Sequence, residues 1–182
     1  VKKGDRWVSS IDPVACKGCG LCASVCPAIV IDPPLSLHDS VIMAVRESPE
    51  NHIPGKSILA FHCNWVKAGL EELAGHFSDV GLKFINITCS GRLNPIFVLE
   101  AFNSGYGGVM VLGCPEEECH FEGGGPQNAK TVVGALKRLL DEAGIEPGRL
   151  ELVLGSNTDP YRYRDAIARM ADRLGEIRSK RS

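Results

Sequence analysis

The sequence lacks an apolar stretch close to the roughly 20 residues that a membrane-spanning helix needs. Its longest apolar runs, such as residues 109–112, have the length of a β-strand. The sequence also lacks an excess of basic residues, because its formal net charge is −2. We therefore expect neither a transmembrane segment nor a nucleic-acid partner.

The N-terminus carries no charged-then-apolar signal peptide, so we expect the protein to work in the reducing cytoplasm. The chain begins with Val1 rather than Met, which favours a processed product, a cloned fragment or the tail of a longer polypeptide. Nothing matches a flavin or nucleotide fingerprint, because the glycines at 123–125 do not directly follow a strand. These glycines are more typical of a flexible loop.

Eight cysteines are present, and their spacing favours metal binding over disulfides. Four of them lie within eleven residues: Cys16, Cys19, Cys22 and Cys26. Their order is the C-x₂-C-x₂-C-x₃-C-P run of bacterial ferredoxins, whose thiolates reach different irons of a 4Fe–4S cluster. Gly18 and Gly20 let backbone amides approach the cluster sulfides. Zinc and a thioredoxin-like dithiol fit this four-cysteine run poorly.

The fourth cysteine of the run leaves one question open. In two-cluster ferredoxins the last cysteine of such a run binds the other cluster, and this sequence contains a single run. Either Cys26 or a remote cysteine completes this cluster, or a matching run lies upstream on a longer chain.

The pattern of apolar residues divides the chain into two segments. Residues 1–50 are predicted to form a small ferredoxin-like α+β segment, with β-like stretches at 6–8 and 29–31 and a helix that Ser36 caps. Residues 51–56 are predicted to be a linker. In residues 57–182, strands at 57–62, 83–88, 108–112 and 150–154 alternate with helical patterns, the clearest at 95–103, 129–143 and 161–174. This alternation predicts an α/β fold with a four-stranded parallel sheet and helices on both faces.

The other four cysteines follow predicted strands. Cys63 follows the first strand, Cys89 the second and Cys114 the third, and Cys119 lies in the loop after the third strand. Ligands of open parallel sheets bind at the carboxyl ends of the strands, so we expect these thiols to meet at one edge. Four thiolates suit a 2Fe–2S cluster, a 4Fe–4S cluster or tetrahedral zinc. We favour a cluster over zinc, because zinc ligands are usually paired more closely along the chain.

These residues carry a resemblance to a known family. Residues 56–179 resemble the delta (iron–sulfur) subunit of methyl-viologen-reducing hydrogenase in four elements: Phe-His-Cys-Asn-Trp at 61–65, Cys-Ser-Gly-Arg at 89–92, Gly-Cys-Pro at 113–115 and Cys-His at 119–120. The resemblance implies transfer of electrons from a hydrogenase, formate dehydrogenase or similar partner to the flavoprotein subunit of heterodisulfide reductase, through a 2Fe–2S cluster. The family commonly has a further cysteine where this chain has Val66, so four thiols remain here for one cluster.

The N-terminal segment resembles the closing ferredoxin motif of the same heterodisulfide reductase flavoprotein, which in some relatives is fused directly to a delta-type domain. We therefore predict an electron relay that makes and breaks no substrate bonds. The alternative is a zinc-stabilised docking module carrying one ferredoxin cluster. Arg92, near Cys89, is either a residue that tunes the cluster or a surface arginine, and His62 and His120 are expected to support the cluster rather than bind it.

Overall fold

The N-terminal segment contains little regular structure. The computed structural model describes residues 1–34, 36–66, 70–77, 79–121, 124–156 and 158–179. The first four elements are two short antiparallel strands and two helices: β1 (Lys2–Lys3), β2 (Arg6–Trp7), α1 (Leu21–Ser24) and α2 (His38–Arg46). In the described part of the chain, no helix has the length and apolar character to cross a membrane.

Two local predictions for this segment are wrong. Residues 29–31 form no strand, because Ile29 has a φ of 52° and donates its N–H to the Cys26 carbonyl at 3.2 Å. Ser36 does not cap α2, since Leu37 occupies the N-cap position without a side-chain hydrogen bond. The Oδ1 atom of Asp32 accepts the hydrogen bond from the His38 N–H, at 2.7 Å, and takes over that role.

A four-stranded parallel sheet forms the centre of the molecule, as predicted. Its strands, in spatial order, are β4 (Leu82–Asn86), β3 (Ile58–His62), β5 (Gly108–Gly113) and β6 (Leu150–Leu154). His62 pairs with both Asn86 and Leu112, so the carboxyl ends of three strands lie level with one another. The residues that follow these strands therefore meet at one edge of the sheet.

Helices cover both faces of the sheet, which confirms the predicted fold class. The remaining helices are α3 (Leu70–His76), α4 (Pro95–Asn103), α5 (Gly124–Glu142) and α6 (Pro160–Ser179). One core contains residues of α2, α4 and α5, and the other contains residues of α3 and α6. Val41 and Val45 of α2 are buried in the first core with Phe97, so a helix of the first 50 residues helps to build the core of the sheet.

Helix α5 begins earlier than the sequence predicts. Gly124 and Gly125 form its first turn with Pro126 rather than a flexible loop, while position 123 lies outside the described residues. Pro suits the first turn of a helix because it needs no N–H partner there. A Cβ atom on Gly91 would lie 2.7 Å from the Gly125 Cα. These glycines therefore allow the helix backbone to pass directly against the Cys89 turn.

Candidate iron–sulfur centres

The structure brings together the four cysteines that follow the strands. Cys63 and Cys89 are each 1% exposed and Cys114 is 6% exposed, whereas Cys119 is half-buried. The Cys63 and Cys114 thiols share a hydrogen bond, and Cys119 also lies within hydrogen-bonding reach of Cys114. Cys89 lies close enough for charges on Cys114 and Cys119 to act on it. The expected gathering of thiols at one sheet edge is therefore present.

A strained turn directs Cys89 toward this edge. Thr88, the preceding residue, has a φ of 64°, which is uncommon for a β-branched side chain. Its carbonyl accepts the Asn64 N–H at 3.0 Å, which ties the Cys89 loop to the Cys63 loop. The Cys89 Sγ atom then accepts the Gly91 N–H at 3.4 Å. This strain is held by the hydrogen bonds around it, as is common at functional sites.

Tyr163 of α6 holds the strand end that leads to Cys114. This side chain is 1% exposed. Its hydroxyl oxygen lies 3.2 Å from the Gly113 carbonyl and 2.5 Å from the Gly155 carbonyl, so it bridges the ends of β5 and β6. The bridge satisfies a buried hydroxyl and fixes the residue before Cys114. Nothing in the local sequence marks this role, because Tyr163 follows Gly113 by 50 positions.

The thiols differ in their readiness to lose a proton. The hydrogen bond from Cys114 lowers the pKa of Cys63, and the backbone N–H groups of Trp65 and Cys114 act in the same direction. The same hydrogen bond to Cys63 raises the pKa of Cys114, and burial raises it further. Burial raises the pKa of Cys89 to about 12. Binding of a metal would therefore require release of protons from this group.

The N-terminal run forms a second group of thiols nearer the surface. Cys16 and Cys22 are exposed, and Cys19 and Cys26 are half-buried. Backbone N–H groups of residues 28–31, Val30 foremost, hydrogen-bond to Cys26 and lower its pKa. Gly18 and Gly20 have φ angles of 70° and 76°, the left-handed conformation that glycine adopts readily.

A hydrogen-bond network joins the two groups. The Ser24 hydroxyl, just after Cys22, donates to the Gly91 carbonyl at 2.7 Å. The Asn128 side chain of α5 donates to both the Ser24 hydroxyl and the Gly91 carbonyl, at 2.9 Å each. Cys19 lies close enough to Cys89 for its negative charge to raise the pKa of the Cys89 thiol. Sequence reasoning missed Ser24 and Asn128, which are 104 positions apart.

The two histidines beside the cysteines support the loops. The His62 Nδ1 atom lies 3.0 Å from the Cys63 carbonyl and hydrogen-bonds to it. The His120 ring packs on Trp65 with ring centroids 3.8 Å apart, which joins the Cys119 loop to the Cys63 loop. Glu116, in the acidic loop between Cys114 and Cys119, pairs with Lys130 of α5.

The donor set fits iron–sulfur clusters in its chemistry. Thiolate sulfurs that accept backbone N–H groups are the usual environment of these clusters, and Cys26, Cys63 and Cys89 all have such donors. A Cβ atom on Gly125 would lie 2.4 Å from the Cys89 Sγ atom, so glycine keeps this side of the thiol open. Within the described ranges, no three His, Cys, Asp or Glu side chains surround one metal position.

Comparison with known proteins places the chain in a family. Residues 58–178 match the family model of the methyl-viologen-reducing hydrogenase delta subunit. The chain belongs to this delta-subunit family. Residues 10–28 also match the family model of the 4Fe–4S binding domain. This second match supports a 4Fe–4S cluster at the N-terminal cysteine run of the chain.

Named relatives of this delta-type chain are of two kinds. It is 33% identical over 144 residues to a ferredoxin:CoB-CoM heterodisulfide reductase subunit of Methanosarcina mazei, covering 77% of this chain and 18% of that protein. It is 32% identical over 124 residues to the F420-non-reducing hydrogenase vhc iron–sulfur subunit of Methanococcus voltae, covering 64% of this chain and 83% of that protein. The corresponding vhu iron–sulfur subunit of Methanococcus maripaludis is 32% identical over 123 residues, with 66% and 91% covered.

This delta-type chain therefore spans about a fifth of the heterodisulfide reductase relative and most of each hydrogenase relative. Both kinds of relative, together with the 4Fe–4S match, support an iron–sulfur electron-transfer role for the chain.

Proposed function

We propose that this protein relays electrons between partner subunits through two clusters in the cytoplasm. Two sets of four thiols hold them: Cys16, Cys19, Cys22 and Cys26 a 4Fe–4S cluster, and Cys63, Cys89, Cys114 and Cys119 a 2Fe–2S cluster. In this proposal residues 1–50 carry the first cluster, 51–56 link the segments and 57–182 carry the second. The electrons pass between a hydrogenase, formate dehydrogenase or similar enzyme and a flavoprotein resembling that of heterodisulfide reductase.

The observation that supports a relay most directly is the closeness of the two cysteine groups. A negative charge on Cys19 acts on the Cys89 thiol, and Ser24 and Asn128 fix the run against the Cys89 turn. Electron transfer between clusters needs a short and constant separation, and this network supports one by holding the two cysteine loops together. A bound cluster supplies the one-electron chemistry, and the residues around it fix its position.

The two cysteine groups differ in their exposure to water. Cys63, Cys89 and Cys114 are shielded from water, which protects ligand bonds and lowers the local dielectric constant around the site. Two cysteines of the N-terminal run are exposed instead, so this group lies where a partner protein can approach. The arrangement gives the relay one sheltered end and one accessible end.

Anaerobic iron, sulfide and zinc analysis, with EPR of the reduced protein, tests the proposal. We expect two clusters, or one stable 2Fe–2S cluster with an incomplete first site if a matching upstream half is required. The alternative, a zinc-stabilised docking module carrying one ferredoxin cluster, uses the same four thiols of the second group. Stoichiometric zinc with no inorganic sulfide in the second segment would establish that alternative and exclude the relay.

A further inference from the structure

Arg92 is a fully buried cation between the two cysteine groups. Its side chain is 0% exposed and is among the largest that the fold buries completely. The Nη2 atom donates to the Ser36 carbonyl at 3.2 Å, and the guanidinium carbon lies 5.0 Å from the centroid of the Phe97 ring. Among the described residues, no protein atom accepts a hydrogen bond from Nε or Nη1.

The three N–H groups on the unpartnered Nε and Nη1 atoms are costly on a buried cation. Removing a charge from water costs several kcal/mol, in order of magnitude, unless an opposite charge and hydrogen bonds compensate. No carboxylate of the described chain forms an ion pair with Arg92. A native fold keeps such a group when a bound species satisfies it or when it serves a function.

Arg92 faces two negatively charged groups, Asp32 and the first cysteine run. A Cβ atom on Gly20 would lie 2.6 Å from the Arg92 Cδ atom, so the run and the arginine pack without a gap. Burial lowers the pKa of Arg92, and negative charge on Asp32 and on the Cys22 thiolate opposes this effect. Asp32 already accepts the His38 N–H, whereas the Cys22 thiolate is a proposed cluster ligand.

We propose that Arg92, although it belongs to the Cys89 turn, sets the reduction potential of the 4Fe–4S cluster at the N-terminal run. This inference rests on the proposed function. Reduction adds one electron and one negative charge to the cluster, with no proton transferred. A buried guanidinium stabilises the more negative state, and a cluster bound there would offer thiolate and sulfide sulfurs as acceptors for the N–H groups of Nε and Nη1. The potential is therefore higher with Arg92 than without it.

Burial excludes one sequence-based interpretation of Arg92, that of a surface arginine. The sequence placed it near Cys89 as a tuning residue for that group or as a surface arginine. The side chain is buried and extends from the Cys89 turn to the loop of the other run. One residue thus makes the first cluster depend on how the second segment is folded.

An EPR-monitored redox titration tests the inference on the anaerobically purified chain, together with any subunits that copurify. In Arg92→Met we expect the ratio of reduced to oxidised 4Fe–4S cluster, at a fixed potential, to fall at least tenfold. For a one-electron couple this is a shift of about 59 mV to more negative values. We expect a smaller shift in Arg92→Lys, which keeps the charge and loses the planar fork of donors.

Arg149→Met is the matched control. The Arg149 guanidinium carbon also lies 5.0 Å from a phenylalanine ring centroid, that of Phe102, and its Nε atom donates to the Gly107 carbonyl. Gly107 precedes β5, so this arginine lies at the opposite edge of the sheet from the cysteines. We expect the wild-type midpoint in this variant, and a shift equal to that of Arg92→Met would overturn the proposal.

Arg92→Gln is a second neutral variant, and it keeps N–H donors. It provides the measurement if Arg92→Met does not bind the cluster. A wild-type midpoint in either neutral variant overturns the proposal. If both neutral variants lose the cluster at unchanged thermal stability and Arg92→Lys keeps it, the result supports the proposal. If all three variants lose the cluster, the result overturns it. A wild-type chain without iron and sulfide at the first run would refute the proposed relay itself, which is a separate outcome.

Discussion

Gly125 lies where the first turn of α5 passes the Cys89 thiol. A Cβ atom there would lie 2.4 Å from the Cys89 Sγ atom, whereas a Cβ atom on Gly134, in the same helix, would have no neighbour within 4 Å. Substitution of Gly125 therefore tests the space beside the Cys89 thiol, whereas substitution of Gly134 tests helix propensity alone.

We expect Gly125→Ala to lose or distort the second cluster and to lower the free energy of unfolding by about 1–3 kcal/mol, because overpacking forces the helix or the thiol to move. Gly134→Ala should keep both clusters and raise the free energy of unfolding by about 0.5–1 kcal/mol. Visible absorbance and urea denaturation measure the two effects. A Gly125→Ala protein with a wild-type spectrum would show that Cys89 has more room than the structure gives it.

The second cysteine group predicts four similar phenotypes. Replacing Cys63, Cys89, Cys114 or Cys119 singly with Ser should abolish or alter the second cluster and leave the 4Fe–4S signal at wild-type intensity, since each change removes one ligand of the same site. EPR and iron analysis of the four variants check this. An unchanged spectrum in Cys63→Ser would mean that the proposed ligand set is wrong.

At the scale of elements, α6 holds the ends of β5 and β6 through one hydroxyl. Tyr163→Phe should lower the free energy of unfolding by about 1–3 kcal/mol, because it leaves the buried Gly155 carbonyl without this donor. The Gly113 carbonyl keeps the Gly155 N–H at 2.9 Å. Tyr161→Phe, two residues earlier on the same helix and 64% exposed, should leave stability unchanged. Thermal and urea unfolding of both variants measures the difference, and equal stabilities would argue that water replaces the hydroxyl.

The elements also show which features a sequence reveals. The strands were predicted correctly, and the cysteines that follow them lie at one sheet edge, because apolar runs and parallel topology place such residues there. The N-terminal turn of α5 was not predicted correctly. Its glycines allow the helix backbone to pass close to Gly91, and local sequence patterns do not show this contact. The roles of Tyr163 and Asn128 depend on contacts between residues far apart in sequence, and the direction of Arg92 depends on the packing of two segments.

At the scale of the whole molecule, the N-terminal segment exposes large apolar side chains. Trp7 is 81% exposed, Val14 94% and Val30 77%, although burial of such side chains is favourable by about 1.5–3 kcal/mol each. We propose that a flavoprotein resembling that of heterodisulfide reductase covers this surface. On this proposal, we expect the protein to work only inside a multi-subunit oxidoreductase.

Anaerobic copurification from native cells tests this assembly. Trp7→Ser should reduce recovery of the flavoprotein and leave both cluster spectra unchanged, because Trp7 contributes to the surface rather than to a core. Leu139→Ser, at a 49% exposed position on α5, is the control outside the segment and should keep the partner. A monomer that is stable, fully loaded and kinetically competent with a soluble carrier would contradict the proposal.

The packing of α2 has a consequence for how this chain can be divided. Val41 and Val45 precede the proposed linker, yet they complete the core around Phe97. The proposed boundary at residues 51–56 therefore separates two sets of proposed ligands but not two folding units. An engineer who grafts the delta-type domain onto another carrier would need to transplant α2 with it, and a cut at residue 57 would leave an apolar groove on α4.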